Sequence, residues 1–231
     1  MSTVLDNRRY RYGLRIFTDV ARSSRYWILG ALFLCTAATA VTAQIWPGAD
    51  FSIWGVAVSI LQWFPAALGG VYLFTMLPIM ISLGLTRREF TVAFAVFGIL
   101  AALASALIAI AGALAEHAVL ELVAEPLNTW GGDFAAGARY LMIAPIYTLG
   151  GMAVSALTIR IGNGSALLAA PLVLAALIYA GTLMIEFFEV TVNAHDWTFA
   201  AWIGSGLVAL AALAAVYTLS LRSVPIRPKR A

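Results

Sequence analysis

Charged side chains divide this chain into long apolar runs. Positions 26–49 carry no charge, and after Asp50 the next charged residue is Arg87, so 51–86 is uncharged; 90–115, 140–159, 161–185 and 197–221 are uncharged as well. A hydrocarbon core about 30 Å thick needs roughly 20 apolar residues per helix, so each run holds one crossing. The pattern predicts an all-α integral membrane protein with six transmembrane helices at about 26–47, 57–83, 90–115, 139–159, 165–187 and 197–221, within a single membrane domain over 26–221.

Ahead of the first run, Tyr10, Leu14, Phe17 and Val20 or Ala21 recur at a spacing of three and four among many arginines. That stripe predicts an amphipathic interfacial helix within 1–25, its aromatic face in the acyl boundary and Arg15, Asp19 and Arg22 paired along the exposed side. A plain topology-setting basic tail would use the same residues. Between the third and fourth spans, 116–137 is the longest outer connection. Ala118, Val119, Leu122 and Val123 alternate there with Glu116, Glu121 and Glu125. They predict a short surface helix ended by Pro126, followed by a turn at Asn128, Gly131 and Gly132. On the other side, Gly162-Asn163-Gly164 reads as a tight turn, and no connection has room for a soluble domain.

Composition agrees: 62% of residues are hydrophobic and 11% charged, and the mean hydropathy is +0.92. The net charge of +3 hides a segregation. With the N-terminus inside, thirteen of the fourteen basic residues fall on inner segments and only Arg139 outside, while most acids fall on the outer side. Retention of Arg and Lys in the cytoplasm then predicts that both termini, including the basic tail 222–231, are cytoplasmic. The basic balance reports topology and anionic membrane lipids, and no nucleic acid is expected as partner. Cys35, the single cysteine, suits a packing role. Val41-Thr42-Ala43 resembles a signal-peptidase site, but the run before it is near full spanning length, so the first helix is expected to be retained.

The most specific local feature is Gly84-Leu85-Thr86-Arg87-Arg88-Glu89-Phe90, a polar segment between two apolar spans. Thr86 is placed to cap a helix, Arg87 and Arg88 carry charge into the cytosol, and Leu85 and Phe90 anchor the ends. Two arginines that merely enforce orientation would account for the charges alone. A Gly-x-(Ser/Thr)-Arg-x-x-Phe segment between the second and third of six spans resembles the permease subunits of bacterial ATP-binding-cassette exporters of the ABCG-like class, as does the basic elbow before the first span. The likeness covers the whole chain in topology and these seven residues as a motif. It implies that Gly84, Leu85, Thr86, Arg87, Arg88, Glu89 and Phe90 form a coupling helix docking on a separate ATPase. It also implies two ATPase copies holding ATP and Mg, a second permease, identical or related, and residence in the bacterial inner membrane.

Nucleotide chemistry within the chain is not expected, because no Gly-x-x-x-x-Gly-Lys-(Ser/Thr) loop occurs and Gly162-Asn163-Gly164 lacks a third glycine. The chain is therefore read as no enzyme and as having no cofactor of its own. His117, Glu121 and Glu125 share a helical face and His195-Asp196 lie in another outer loop, but surface solvation suits them better than zinc. Charged residues at mid-depth are nearly absent, which disfavours a proton-driven pump. Glu186 comes closest, placed either at the outer interface, with Arg139 in reach, or against substrate. Gly69-Gly70 and Gly150-Gly151 permit close helix approach, for packing or bending. Trp63, Phe64, Tyr72 and Phe74 line a hydrophobic path or face lipid. The expected function is export of a lipophilic or amphipathic compound, such as an antibiotic, lipid or hydrophobic peptide. The alternatives are a non-transporting accessory, immunity or substrate-capture subunit and, without a visible internal repeat, a secondary transporter.

Overall fold

A computed structural model describes residues 8–46, 52–126, 128–161 and 199–222. The expected fifth span at 165–187, Glu186, the 162–164 turn, His195-Asp196 and the 223–231 tail lie outside the described residues. All the described elements are helices: α1 (Arg8–Ile45), α2 (Ile53–Leu61), α3 (Trp63–Ser82), α4 (Arg87–Val123), α5 (Trp130–Ala138), α6 (Tyr140–Ile161) and α7 (Phe199–Arg222). With α2–α3 and α5–α6 each counted as one rod, five helices among the described residues are long and apolar enough to cross a membrane. Large apolar side chains such as Trp27, Phe33 and Ile60 stand exposed around them, as expected of surface that meets lipid rather than water.

Four boundaries differ from the sequence reading. The basic N-terminal segment and the first apolar run form one 38-residue helix, because nothing at Ser23-Ser24-Arg25-Tyr26 breaks the hydrogen-bond ladder. The buried stripe of this segment is also rotated from the expected one. Gly13 lies against the Ala93 carbonyl of α4, Ile16, Phe17 and Val20 join the main core, and Leu14 is exposed. Arg15 and Asp19 do pair, at 4.0 Å on the exposed side, where such a contact contributes little.

The second span starts earlier than expected and is split at Gln62, three residues before Pro65, which has no N–H to offer the Leu61 carbonyl. The third span does not stop at the first acid. α4 runs 37 residues, about 55 Å, through Glu116, His117 and Glu121 to Val123. The Asn128–Gly132 turn is instead the start of helix α5, because the Thr129 side chain accepts the Gly132 N–H at 3.2 Å and supplies the N-cap that two adjacent glycines would otherwise lack.

The core is built on α3, α4, α6 and α7, with Leu73, Phe94, Phe97, Met152 and Tyr217 at its centre. α3 and α6 meet through glycine. A Cβ on Gly151 would sit 2.0 Å from the Ala66 carbonyl oxygen, and one on Gly70 2.8 Å from Ser155 Oγ. By contrast, the Cα atoms of α1 and α3 nowhere approach within 8 Å of one another, although each helix flanks α2 and α4.

Candidate functional site

The turn between α3 and α4 is fixed at both ends. α3 closes with Gly84 N–H bonded to the Ile81 carbonyl and Leu85 N–H to the Met80 carbonyl, at 3.0 and 3.1 Å. This paired closure needs a residue with positive φ, and Gly84 supplies it at 82°. Two residues later α4 opens with a reciprocal cap. Thr86 Oγ1 accepts the Glu89 N–H at 3.2 Å while the Thr86 N–H donates to Glu89 Oε2 at 2.9 Å. Leu85 and Phe90 are buried and Arg88 is exposed. Arg87 turns aside, its guanidinium donating to the Arg222 carbonyl at the end of α7 at 3.2 Å. That bond offsets the negative end of the α7 dipole and ties α7 to the start of α4. The segment picked out in the sequence is thus a rigid cap joining three helices, with one arginine free to reach outward.

At the far end of α4 lies a polar cluster that the sequence places in a loop. Glu116 is buried at 6% exposure. Its Oε1 accepts Thr39 Oγ1–H of α1 at 2.9 Å and the Trp54 N–H of α2 at 3.0 Å, and its Oε2 accepts Ser52 Oγ–H. Ser52 Oγ in turn accepts the Gly55 N–H at 2.7 Å. The carboxylate therefore sits where α2 presents unpaired N–H groups and the positive end of its dipole. Trp54 packs against Gly112, where an added Cβ would fall 1.9 Å from the indole Cε2, and its indole N–H donates to the Ala109 carbonyl at 2.9 Å.

One residue on, His117 is buried with Nδ1 2.6 Å from Asp133 Oδ2 of α5, its ring 4.2 Å from that of Trp130. Asn128 donates to the other Asp133 oxygen at 3.1 Å, and the Trp130 indole reaches Glu121 at 3.4 Å. His117 therefore bonds to α5 rather than standing as a solvated surface group, while Glu121 remains exposed and only accepts the Trp130 indole N–H. Among the described residues no set of three metal-ligating side chains converges on one point.

Between these two ends, α1, α2, α3, α4 and α6 line a half-open apolar cavity of about 380 Å³. Phe17 and Ile28 of α1 form one wall and Phe64 and Leu68 of α3 the other, over a floor of Ala101 and Ala104. It occupies the gap that α1 and α3 leave by not touching. Of the four aromatics proposed for a hydrophobic path, Phe64 lines it. Trp63 packs edge-on to Tyr147 at 4.9 Å, Tyr72 leans on Phe97 at 6.1 Å in the core, and Phe74 is exposed. The structure does not bring these three to one surface.

Gln62, at the break between α2 and α3, is the residue that sequence reading passed over. It is 6% exposed, lines the cavity and donates from Nε2 to the Tyr147 hydroxyl oxygen at 3.0 Å. A lone amide in the middle of the 51–86 apolar run was the available signal, since polar groups at such positions are costly without a purpose.

No family model, curated protein or solved structure matches this chain.

Proposed function

We propose that the chain is the transmembrane permease subunit of an ATP-driven exporter of the ABCG-like class, crossing a bacterial inner membrane six times with both termini in the cytoplasm. The observation that carries this reading is the doubly capped turn at 83–90. Leu85 and Phe90 seat it in the bundle, and Arg87 links it to the end of α7. A load applied at exposed Arg88 would therefore move α3, α4 and α7 together instead of bending a loop. That is what a coupling element between a membrane domain and a separate ATPase requires. The charge distribution along α4 fits the same orientation, with Arg87 and Arg88 at its start and Glu116 and Glu121 near its end.

In this mechanism two ATPase subunits bind ATP and Mg, close on each other and press on the turn. The tilt of α3 and α4 switches an apolar path, formed with a second permease, from inward to outward exposure. An uncharged, apolar lining suits lipophilic or amphipathic cargo.

The test is recovery of a nucleotide-hydrolysing partner when the chain is extracted from its native membrane in mild detergent. Wild type is expected to bring down a stand-alone ATPase. Arg88→Glu, and more completely Arg87→Glu/Arg88→Glu, is expected to lose it at least tenfold with unchanged folding of the membrane domain. An ATPase retained by both variants would remove the turn as the docking element. No ATPase with any form would overturn the permease reading and favour an accessory or immunity role.

A further inference from the structure

The half of α1 that carries the arginines does not stand clear of the apolar bundle. Gly13 lies against Ala93 and Thr39 bonds to Glu116, so α1 and α4 run side by side in the same direction. In that register 13–25 of α1 lies beside the first half of the uncharged 90–115 run of α4. Six arginines stand between positions 8 and 25 against one acid, Asp19. Their charge is carried along the bundle instead of beyond its end.

The outer side of α1 is one stripe in two parts. Arg11, Arg15 and Arg22, and after them Tyr26, Leu29 and Phe33, recur at spacings of three, four and seven, so all six share a helical face. All six are exposed. Arg15 has its 4.0 Å contact with Asp19, whereas the Arg11 and Arg22 guanidinium groups have no polar partner among the described residues. Arg25 marks the junction, 2.7 Å from the Tyr26 hydroxyl and 4.5 Å over that ring, with further N–H donors to spare.

Depth decides what can cover this stripe. The apolar stretch left to α1, 26–45, is about 30 Å long, one full hydrocarbon thickness. Beside α1 the headgroup level therefore falls at Arg22 and Arg25, well inside the level at which the apolar run of α4 begins. Arg22 lies about 16 Å further along the axis than Arg11, too deep to reach water past α4 by snorkelling, and a bare guanidinium in hydrocarbon is costly. A counter-charge has to be brought to it. A second copy seated face to face would set arginines against arginines, with one aspartate on each side to offset them. A soluble anion would leave Tyr26, Leu29 and Phe33 uncovered. An anionic head on apolar chains fits both parts at once.

We propose that this face of α1 binds an anionic phospholipid of the surrounding bilayer, its phosphate on Arg22 and Arg25 and its acyl chains along Tyr26, Leu29 and Phe33. The two arginines are neighbours at a spacing of three, and each guanidinium can take phosphate through paired N–H bonds.

The experiment uses the full chain in a neutral maltoside detergent and a phosphatidylglycerol probe with a photoreactive diazirine on one acyl chain. Unlabelled phosphatidylglycerol and phosphatidylcholine of the same chains compete, differing in the headgroup alone. Labelling is expected on the 26–45 stretch of α1, with phosphatidylglycerol competing at least tenfold better. Arg22→Gln/Arg25→Gln should bring the two competitors within twofold, while Arg22→Lys/Arg25→Lys, which keeps the charge, should retain at least a threefold preference. Arg160→Gln, which removes an exposed arginine at the end of α6, should leave the preference intact. Equal competition in the wild type would overturn the proposal and needs no variant to fold; so would a preference that survives Arg22→Gln/Arg25→Gln. Displacement of the probe by glycerol 3-phosphate as effectively as by phosphatidylglycerol would overturn it in favour of a soluble anion, and by hexaglutamate in favour of an acidic protein segment. No arm involves ATP or an ATPase, so failure here leaves the exporter reading to its own test.

Discussion

α3 has two sides that solve opposite problems. Toward α6 it presents Gly69 and Gly70, which let the helices approach until a Cβ on Gly69 would be 3.0 Å from Met152 and one on Gly151 2.0 Å from a backbone oxygen. Toward α1 it presents Phe64, Pro65 and Leu68 across an unfilled cavity. In a bilayer, lipid chains are as apolar as Leu, so helices hold together through close van der Waals fit between small residues, and the α3–α6 side has that fit. The α1–α3 side lacks it, and α1 is held instead by α4, through Gly13 against Ala93, and at its far end by Glu116. The contrast teaches that the bundle has one sealed seam and one open seam.

The sealed seam is the easier to break. Gly151→Ala places a methyl group against backbone atoms of Ala66 that cannot rotate away, so α3 and α6 must separate along their length. The expected cost is about 3 kcal/mol, near the upper end for overpacking. Thermal unfolding in detergent checks it, with a large drop in melting temperature or loss of the folded monomer as the expected outcome. Wild-type stability in Gly151→Ala would mean that the two helices are not seamed through this glycine.

The open seam depends on its anchor. Glu116→Ala leaves the Ser52 hydroxyl and the Trp54 N–H without their acceptor, while the Thr39 hydroxyl keeps the Cys35 carbonyl at 3.0 Å, at an expected cost of about 2 kcal/mol. Glu116→Gln keeps one carbonyl oxygen and should cost about half as much. Gly84 has open space for a Cβ but a φ of +82°, so its alanine variant is expected to lose about 1 kcal/mol through the backbone alone. Chemical unfolding of the two variants side by side separates the effects.

The apolar rods were legible from charge-free run length, because a helix in hydrocarbon must satisfy its own backbone and tolerates few charges. The same rule misplaced their ends. A span was ended at its first ionisable residue, yet α4 continues past Glu116 and His117 because Thr39, Ser52, Trp54 and Asp133 satisfy those side chains from other helices. Those partners lie 16 to 77 residues away in sequence, and no local pattern links them. The joined first helix was missed for a related reason: a change from basic to apolar composition marks a change of surroundings, not a break in the backbone. Of the site, the 84–90 segment was legible because its Thr-x-x-Glu cap and its glycine are local signals. The cavity was not, since it exists only where two helices distant in sequence fail to touch.

The smallest effect sharpens the comparison most. Ala104→Phe adds a whole aromatic ring to α4, far more bulk than the single methyl of Gly151→Ala, yet it points into a space of about 380 Å³ rather than at a neighbouring backbone. A ring that fills empty apolar space recovers contacts its lining lacks, so the cost is expected to fall below about 1 kcal/mol, with slight stabilisation where the ring finds a good rotamer. Unfolding of Gly151→Ala and Ala104→Phe under one set of conditions should therefore give effects in inverse order of the volume added. A loss for Ala104→Phe as large as that for Gly151→Ala would mean that the space closes in the membrane, α1 packing onto α3. An undisturbed melting temperature would show that the gap persists in the folded protein and has room for the ring.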